Sequence, residues 1–206
     1  MKRFLVAIPM AALFLASCGS NDTSLEDALE DINDFDNAAN SFADGNAKTG
    51  EEYFSGLLAE VINVDVKYRE MEELDQMDAS EKEINAALDS CIIIMNDARK
   101  ALNKYKSKDW PNRAEFHDLT LEWFDGIENM VKKYARPLAK AMSKADDEWS
   151  DDEYALYEEW QEAYNEFLEV DARWVAFQHT YASANGFSLS SETIDVDALV
   201  EEDMAK

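Results

Sequence analysis

Between Ile84 and Tyr105 the residues Ile84, Leu88, Cys91, Met95, Ala98, Leu102 and Tyr105 recur at alternating spacings of four and three. This is the seam of an α-helix packed along other helices, because about 3.6 residues per turn bring such positions onto one stripe. A strand would need alternation by two, which no segment of the chain sustains. Glycine is scarce, at 6 in 206 residues, and the only prolines after the N-terminal run are Pro111 and Pro137. The backbone therefore has few places at which to break a helix. The expected fold class is all-α: an antiparallel up-down four-helix bundle with an additional N-terminal helical segment. Helices joined by short turns become antiparallel neighbours.

Start and stop signals divide the chain into five helical stretches. Residues 24–43 follow a capping-box pattern of Thr23 with Glu26, but their apolar residues Leu25, Leu29, Ile32, Phe35 and Phe42 drift around the helix. That drift predicts a partly docked tether instead of a full bundle member. Thr49 and Glu52 open the next helix, about 50–76, whose face runs Phe54, Leu58, Val61, Asp65 and Tyr68. Ser80 and Glu83 open the helix that carries the seam, about 81–107. Ile93 points away from that seam, so a cover is expected from segment 24–43 or from a second subunit. Lys108-Asp109-Trp110-Pro111 predicts a break, with Asp109 as N-cap and Pro111 in the first turn of a helix running from 110 to about 145. That helix should bury Phe116, Leu119, Trp123, Ile127, Met130, Tyr134, Leu138 and Ala141, with Pro137 kinking it or splitting off its last turns. Ser150 and Glu153 cap the last long helix, and Asn185-Gly186 ends it. Residues 187–206 read as an extended stretch with one short helical turn.

The N-terminus carries an address. Lys2 and Arg3 precede an apolar run from Phe4 to Ala16, too short to span a bilayer, and small residues precede Cys18. Leu15-Ala16-Ser17-Cys18 resembles the lipobox of bacterial lipoproteins. The resemblance implies cleavage before Cys18 and acylation of that cysteine, and several acyl chains on one residue make a durable membrane anchor. Gly19 follows Cys18 where an inner-membrane lipoprotein often has Asp, which by analogy implies the outer membrane. The expected divisions are a signal peptide over 1–17, a lipid-anchored spacer with partial helix over 18–48, a bundle over 49–187 and an acidic tail over 188–206.

With 45 Asp and Glu against 19 Lys and Arg, the net charge is −26. Such a field repels nucleic acid and phosphorylated metabolites, and it favours a protein partner with a basic face. The chain has 2 cysteines. If Cys18 is acylated, Cys91 has no partner for an internal disulfide, and its apolar flank Ile92-Ile93-Ile94-Met95 predicts a buried thiol.

Candidate chemistry is thin. Tyr157, Trp160, Tyr164, Phe167, Trp174 and Tyr181 share one face of the last helix. Such a stripe either forms core or lines a pocket for a hydrophobic molecule. Stepping about 100° per residue places Asp171 and Gln178 near the centre of that face, and Asp65 at the same position on its own helix. These three form the candidate polar cluster, because a buried carboxylate must be paired or protonated. Arg69 and Arg99, at the edges of apolar faces, are the expected partners. His117 and His179 are the only histidines, and both fall near the margins of apolar faces. One histidine on each of two helices makes neither a zinc site nor a catalytic pair. No Glu-x-x-His pair, phosphate loop, Gly-x-Ser-x-Gly elbow or EF-hand pattern occurs, so neither a metal, a cofactor nor a catalytic residue is expected.

From about Glu51 to Phe187 the paired long helices, the Trp110-Pro111 break and the acidic turn Ala145–Asp152 before an aromatic helix have a counterpart. Together they resemble a family of helical surface lipoproteins of Gram-negative bacteria. That resemblance brings no catalytic residues, and it implies a lipid-anchored envelope protein with a binding or structural role and no enzymatic activity. The alternative expectation is a carrier holding a small hydrophobic ligand against Trp123, Trp160, Tyr164 and Trp174.

Overall fold

The computed structural model describes residues 14–16, 37–77, 79–145 and 148–193. Lys2, Arg3, Cys18, the Thr23–Glu26 pattern and most of the acidic tail over 188–206 lie outside them. The described chain is helical almost throughout: α1 over 37–44, α2 Gly50–Gln76, α3 Glu81–Asn103, α4 Arg113–Asn129, a π-helical segment Met130–Ala135, α5 Arg136–Met142 and α6 Asp151–Asn185. A short antiparallel ribbon joins β1 Phe14–Ala16 to β2 Leu189–Thr193, with Phe14 opposite Thr193 and Ala16 opposite Leu189.

The caps explain most boundaries. Ser80 and Ser150 each accept from the backbone N–H three residues on, and Glu83 and Glu153 each reach back to the cap's own N–H at 2.8 Å. At Glu153 a further hydrogen bond from Lys144 Nζ holds the carboxyl down to about 2, so this cap stays ionised well into acid. The Thr49 box is only half formed. Thr49 Oγ1 accepts from Glu52 N–H at 3.1 Å, but the Glu52 carboxylate takes the N–H of Lys48 instead of that of Thr49. At the far end of α6, Gly186 adopts φ 81°, and the N–H groups of Gly186 and Phe187 return to Ser183 and Ala182. This left-handed turn satisfies the last carbonyls of the helix.

Two expected bounds move. The helix carrying the seam ends at Asn103, four residues early, where Lys104 N–H turns back to Ala101. The next helix starts at Arg113, not at 110, and Asp109 does not cap it. Asn112 takes the left-handed conformation (φ 59°) that its side chain tolerates, and the Pro111 carbonyl accepts from Asn185 Nδ2 at 3.0 Å. The Trp110-Pro111 turn is thereby tied to the end of α6 instead of opening a helix. Pro137 does split the long helix: it stands in the first turn of α5, directly after the π-helical segment. There Arg136 N–H reaches the Val131 carbonyl, five residues back, and the widened turn absorbs the bond that proline cannot make.

Between neighbouring helices, the contacting positions advance along one chain segment as they retreat along the other. Tyr53 and Tyr105 rings meet at 5.2 Å, and Cys91 Sγ lies 3.8 Å from the Val64 carbonyl, so α2 and α3 run in opposite directions. Arg99 holds Asp125 and Glu128, and Arg136 holds Asp89, reversing α3 against α4–α5. Phe116 stacks on Tyr181 at 4.8 Å and Trp123 meets Phe167 at 5.6 Å, reversing α4 against α6. Tyr181 hydroxyl donates to the Gly50 carbonyl and Trp160 Nε1 to the Tyr68 hydroxyl, reversing α2 against α6.

All seven seam residues, six on α3 and Tyr105 just beyond its end, are buried. On α2 the buried residues go nearly all the way round, including Tyr53, Leu57, Ala59, Ile62 and Val64 beside the expected face. A helix apolar on all sides belongs in the interior, and α2 is the element the others enclose. Part of that enclosure is α1. Phe42 is fully buried against Tyr53 and Tyr105, and the Tyr105 hydroxyl donates to the Phe42 carbonyl while accepting from Ala47 N–H. α1 lies so close to α2 that a Cβ on Gly56 would fall 2.3 Å from Phe42 Cβ. The described part of the N-terminal segment therefore docks near Tyr105, and it does not cover Ile93, which is 60% exposed.

Candidate functional site

Asp65, Asp171 and Gln178 are all buried, at 1%, 2% and 0% exposure. They do not meet as one cluster. Asp171 and Gln178 lie seven residues apart on α6, roughly 10 Å along its axis. The pairings of Gly50 with Tyr181 and Tyr68 with Trp160 put Asp65 opposite the turn around Tyr164, a different level from Asp171. Each occupies its own layer with its own chemistry. Asp65 Oδ2 accepts from Arg69 Nε at 3.2 Å, one turn on, as expected. Arg99 is spent elsewhere, on Asp125 and Glu128 of α4. Asp171 Oδ1 accepts from the indole Nε1 of Trp123 at 2.9 Å, a partner that charge-matching rules would not pick out. Among the described residues neither amide atom of Gln178 has a partner.

His117 corrects the margin placement expected of it: only 3% is exposed. It lies on the side of α4 that continues through Thr120 and Phe124, a second buried face that the Phe116-to-Ala141 stripe did not include. Leu119, placed on the expected stripe, is only half-buried. His179 is exposed. Burial holds the His117 imidazole below its ordinary pKa, with Arg113 and Lys106 adding to the effect and Asp118 opposing it. Thr120 completes a chain of paired groups, donating to the Phe116 carbonyl at 2.8 Å and accepting from Trp174 Nε1 at 2.9 Å. The sequence signal for both residues was a second four-and-three register on α4, through His117, Thr120, Phe124, Ile127 and Val131.

Cys91 is buried, and desolvation, with Asp65 adding to it, pushes its thiol up to about 12. A thiol so placed stays protonated and is a poor nucleophile. Among the described residues no three of His, Cys, Asp and Glu are grouped to hold a metal ion. None of the described helices is long and apolar enough to cross a membrane. The rings proposed to line a carrier pocket are buried and pack on other side chains: Trp123 lies against Phe124, Phe167 and Trp174, and Tyr164 against Phe167. The outer face of α6 is acidic, with Asp151, Asp152, Glu158, Glu159, Glu162, Glu166 and Glu169 all exposed. Comparison with protein-family models, with curated proteins and with solved structures finds no match.

Proposed function

We propose that this chain is a lipid-anchored protein of the bacterial cell envelope, held by acyl chains on Cys18, that acts by binding or as a structural element and not by catalysis. The observation that carries the reading is the sequence Leu15-Ala16-Ser17-Cys18 at the end of an uncharged run behind Lys2 and Arg3. In this reading α2, α3, α4–α5 and α6 form an antiparallel up-down four-helix bundle with the N-terminal segment docked on it, and the outer membrane is its site. Antiparallel contacts between α2 and α3, α3 and α4–α5, α4 and α6, and α2 and α6 support that architecture. The exposed acidic row on α6 is the surface for a partner with a basic face. Aromatic residues packed on one another favour this binding role over the carriage of a hydrophobic ligand.

Two experiments test the reading. Cells fed a palmitate analogue should label the wild type and not Cys18→Ser, and the variant should leave the membrane fraction. Equal labelling of both would end the lipoprotein reading. Protease added to intact cells then separates the faces of the membrane. Digestion while a periplasmic control survives places the bundle outside, and protection until the outer membrane is breached places it in the periplasm.

A further inference from the structure

Where α2 and α4 begin and α6 ends, three deeply buried side chains carry polar atoms that no group among the described residues satisfies. They are the Tyr53 hydroxyl, both ring nitrogens of His117, and both amide atoms of Gln178. Tyr53 and Gln178 are fully buried. The three belong to one end of the core. The Phe116 ring bridges the turn that holds Gln178, lying 5.9 Å from Trp174 on one side and 4.8 Å from Tyr181 on the other. His117 follows it on the neighbouring buried face of α4, one turn before Thr120, whose hydroxyl accepts from Trp174 Nε1 one turn before Gln178. The Tyr181 ring in turn meets the Tyr53 ring at 6.2 Å. Arg113 and Asp118 act electrostatically on both Tyr53 and His117, which places those two around the same charges.

Neighbouring polar groups have their own partners. Trp174 Nε1 is taken by Thr120, and the Tyr181 hydroxyl by the Gly50 carbonyl. An unpaired polar group in an apolar interior is costly, and a folded domain is only marginally stable. Three unpaired groups together would therefore consume much of the stability, whereas Met or Leu at position 178 would fill a similar volume without that cost. The groups are also all neutral near neutral pH. Burial holds His117 below its usual pKa and Tyr53 above its own, so the layer offers donors and acceptors without net charge.

We propose that Tyr53, His117 and Gln178 form an internal binding site for a small uncharged hydrogen-bonding guest, either ordered water or a small hydroxylated molecule. The inference rests on these buried groups alone and is independent of the membrane reading. Buried water commonly makes about three hydrogen bonds to such groups, and these three side chains offer five polar atoms for them.

A high-resolution crystal structure of the wild type is the direct test. Density within hydrogen-bonding distance of the Gln178 amide and of His117 or Tyr53 is expected, and a dry, fully packed layer would overturn the proposal. Gln178→Met provides the second measurement. Relaxation dispersion of oxygen-labelled water should show a long-lived internal molecule in the wild type that the variant lacks, if the guest is water. Native mass spectrometry should show a non-covalent adduct that the variant lacks, if the guest is organic. In either case the variant should melt several degrees lower. A variant that melts higher than the wild type, with no water or adduct to lose, refutes the site.

Discussion

The contact between Trp123 and Asp171 shows what a buried carboxylate in this core depends on. The indole N–H is aimed at Oδ1 inside a shell of aromatic rings, where an unmet acceptor is costly. Trp123→Phe removes that donor and leaves a small void, so a loss of about 2–3 kcal/mol is expected. For a chain of this size that lowers Tm by about 5–10 °C in thermal melts followed by circular dichroism. Asp171→Asn keeps an acceptor for the indole and should lose less. Glu60 makes a prediction of the opposite kind. Burial, and after it the charge of Asp97, push its carboxyl up to about 7. An acid raised in the folded state favours folding while protonated, and that advantage disappears as pH rises from about 4.5 to about 7. Glu60→Gln should accordingly raise Tm by about 2–5 °C at about pH 8, with solvent screening part of the effect, and change it little at about pH 4. No gain at the higher pH would show that Glu60 is not strained there. The burial of Asp65, Asp171 and Gln178 follows from helical stepping alone. Their partners do not, because the Trp123 indole reaches Asp171 from another helix.

Among the elements, local rules succeeded wherever neighbours left them alone. Ser80 with Glu83 and Ser150 with Glu153 are complete capping boxes, and Ser80→Ala should cost about 1 kcal/mol in urea titration. Pro111 obeyed the same kind of rule on paper, as a first-turn proline behind an Asp cap. Its carbonyl is instead tied to Asn185, so a contact across 74 positions of the chain overrides the local preference. The docking of α1 was visible only as an uneven apolar pattern around Phe42. Its closeness to α2 depends on Gly56, whose missing side chain lets Phe42 and the Ala38 carbonyl approach. Gly56→Ala should push α1 away despite alanine's better helix propensity. Faster amide exchange over residues 37–48 with little change in α3 would report that displacement, and unchanged exchange there would contradict it.

The molecule as a whole joins two ends of the chain in the β1–β2 ribbon. On the lipoprotein reading, processing removes Phe14–Ala16, so β2 has this partner only in the unprocessed chain. Amides of Leu189–Thr193 should therefore exchange faster in protein isolated from membranes than in the unprocessed chain, as hydrogen-exchange mass spectrometry would show. Equal protection in the two forms would mean that β2 is held by something else.

From the sequence alone came the all-helical class, the seam of α3, both serine capping boxes, the Asn185-Gly186 stop and the split at Pro137. Each depends on residues within a turn or two of one another, where spacing and backbone chemistry suffice. The tertiary structure alone decided that α2 is enclosed on nearly every side, that His117 is interior and that Pro111 serves α6. It also decided that Asp65, Asp171 and Gln178 stand in separate layers. Those outcomes depend on which helix lies against which and at what height, a relation set by the packing of distant segments and carried by no local pattern.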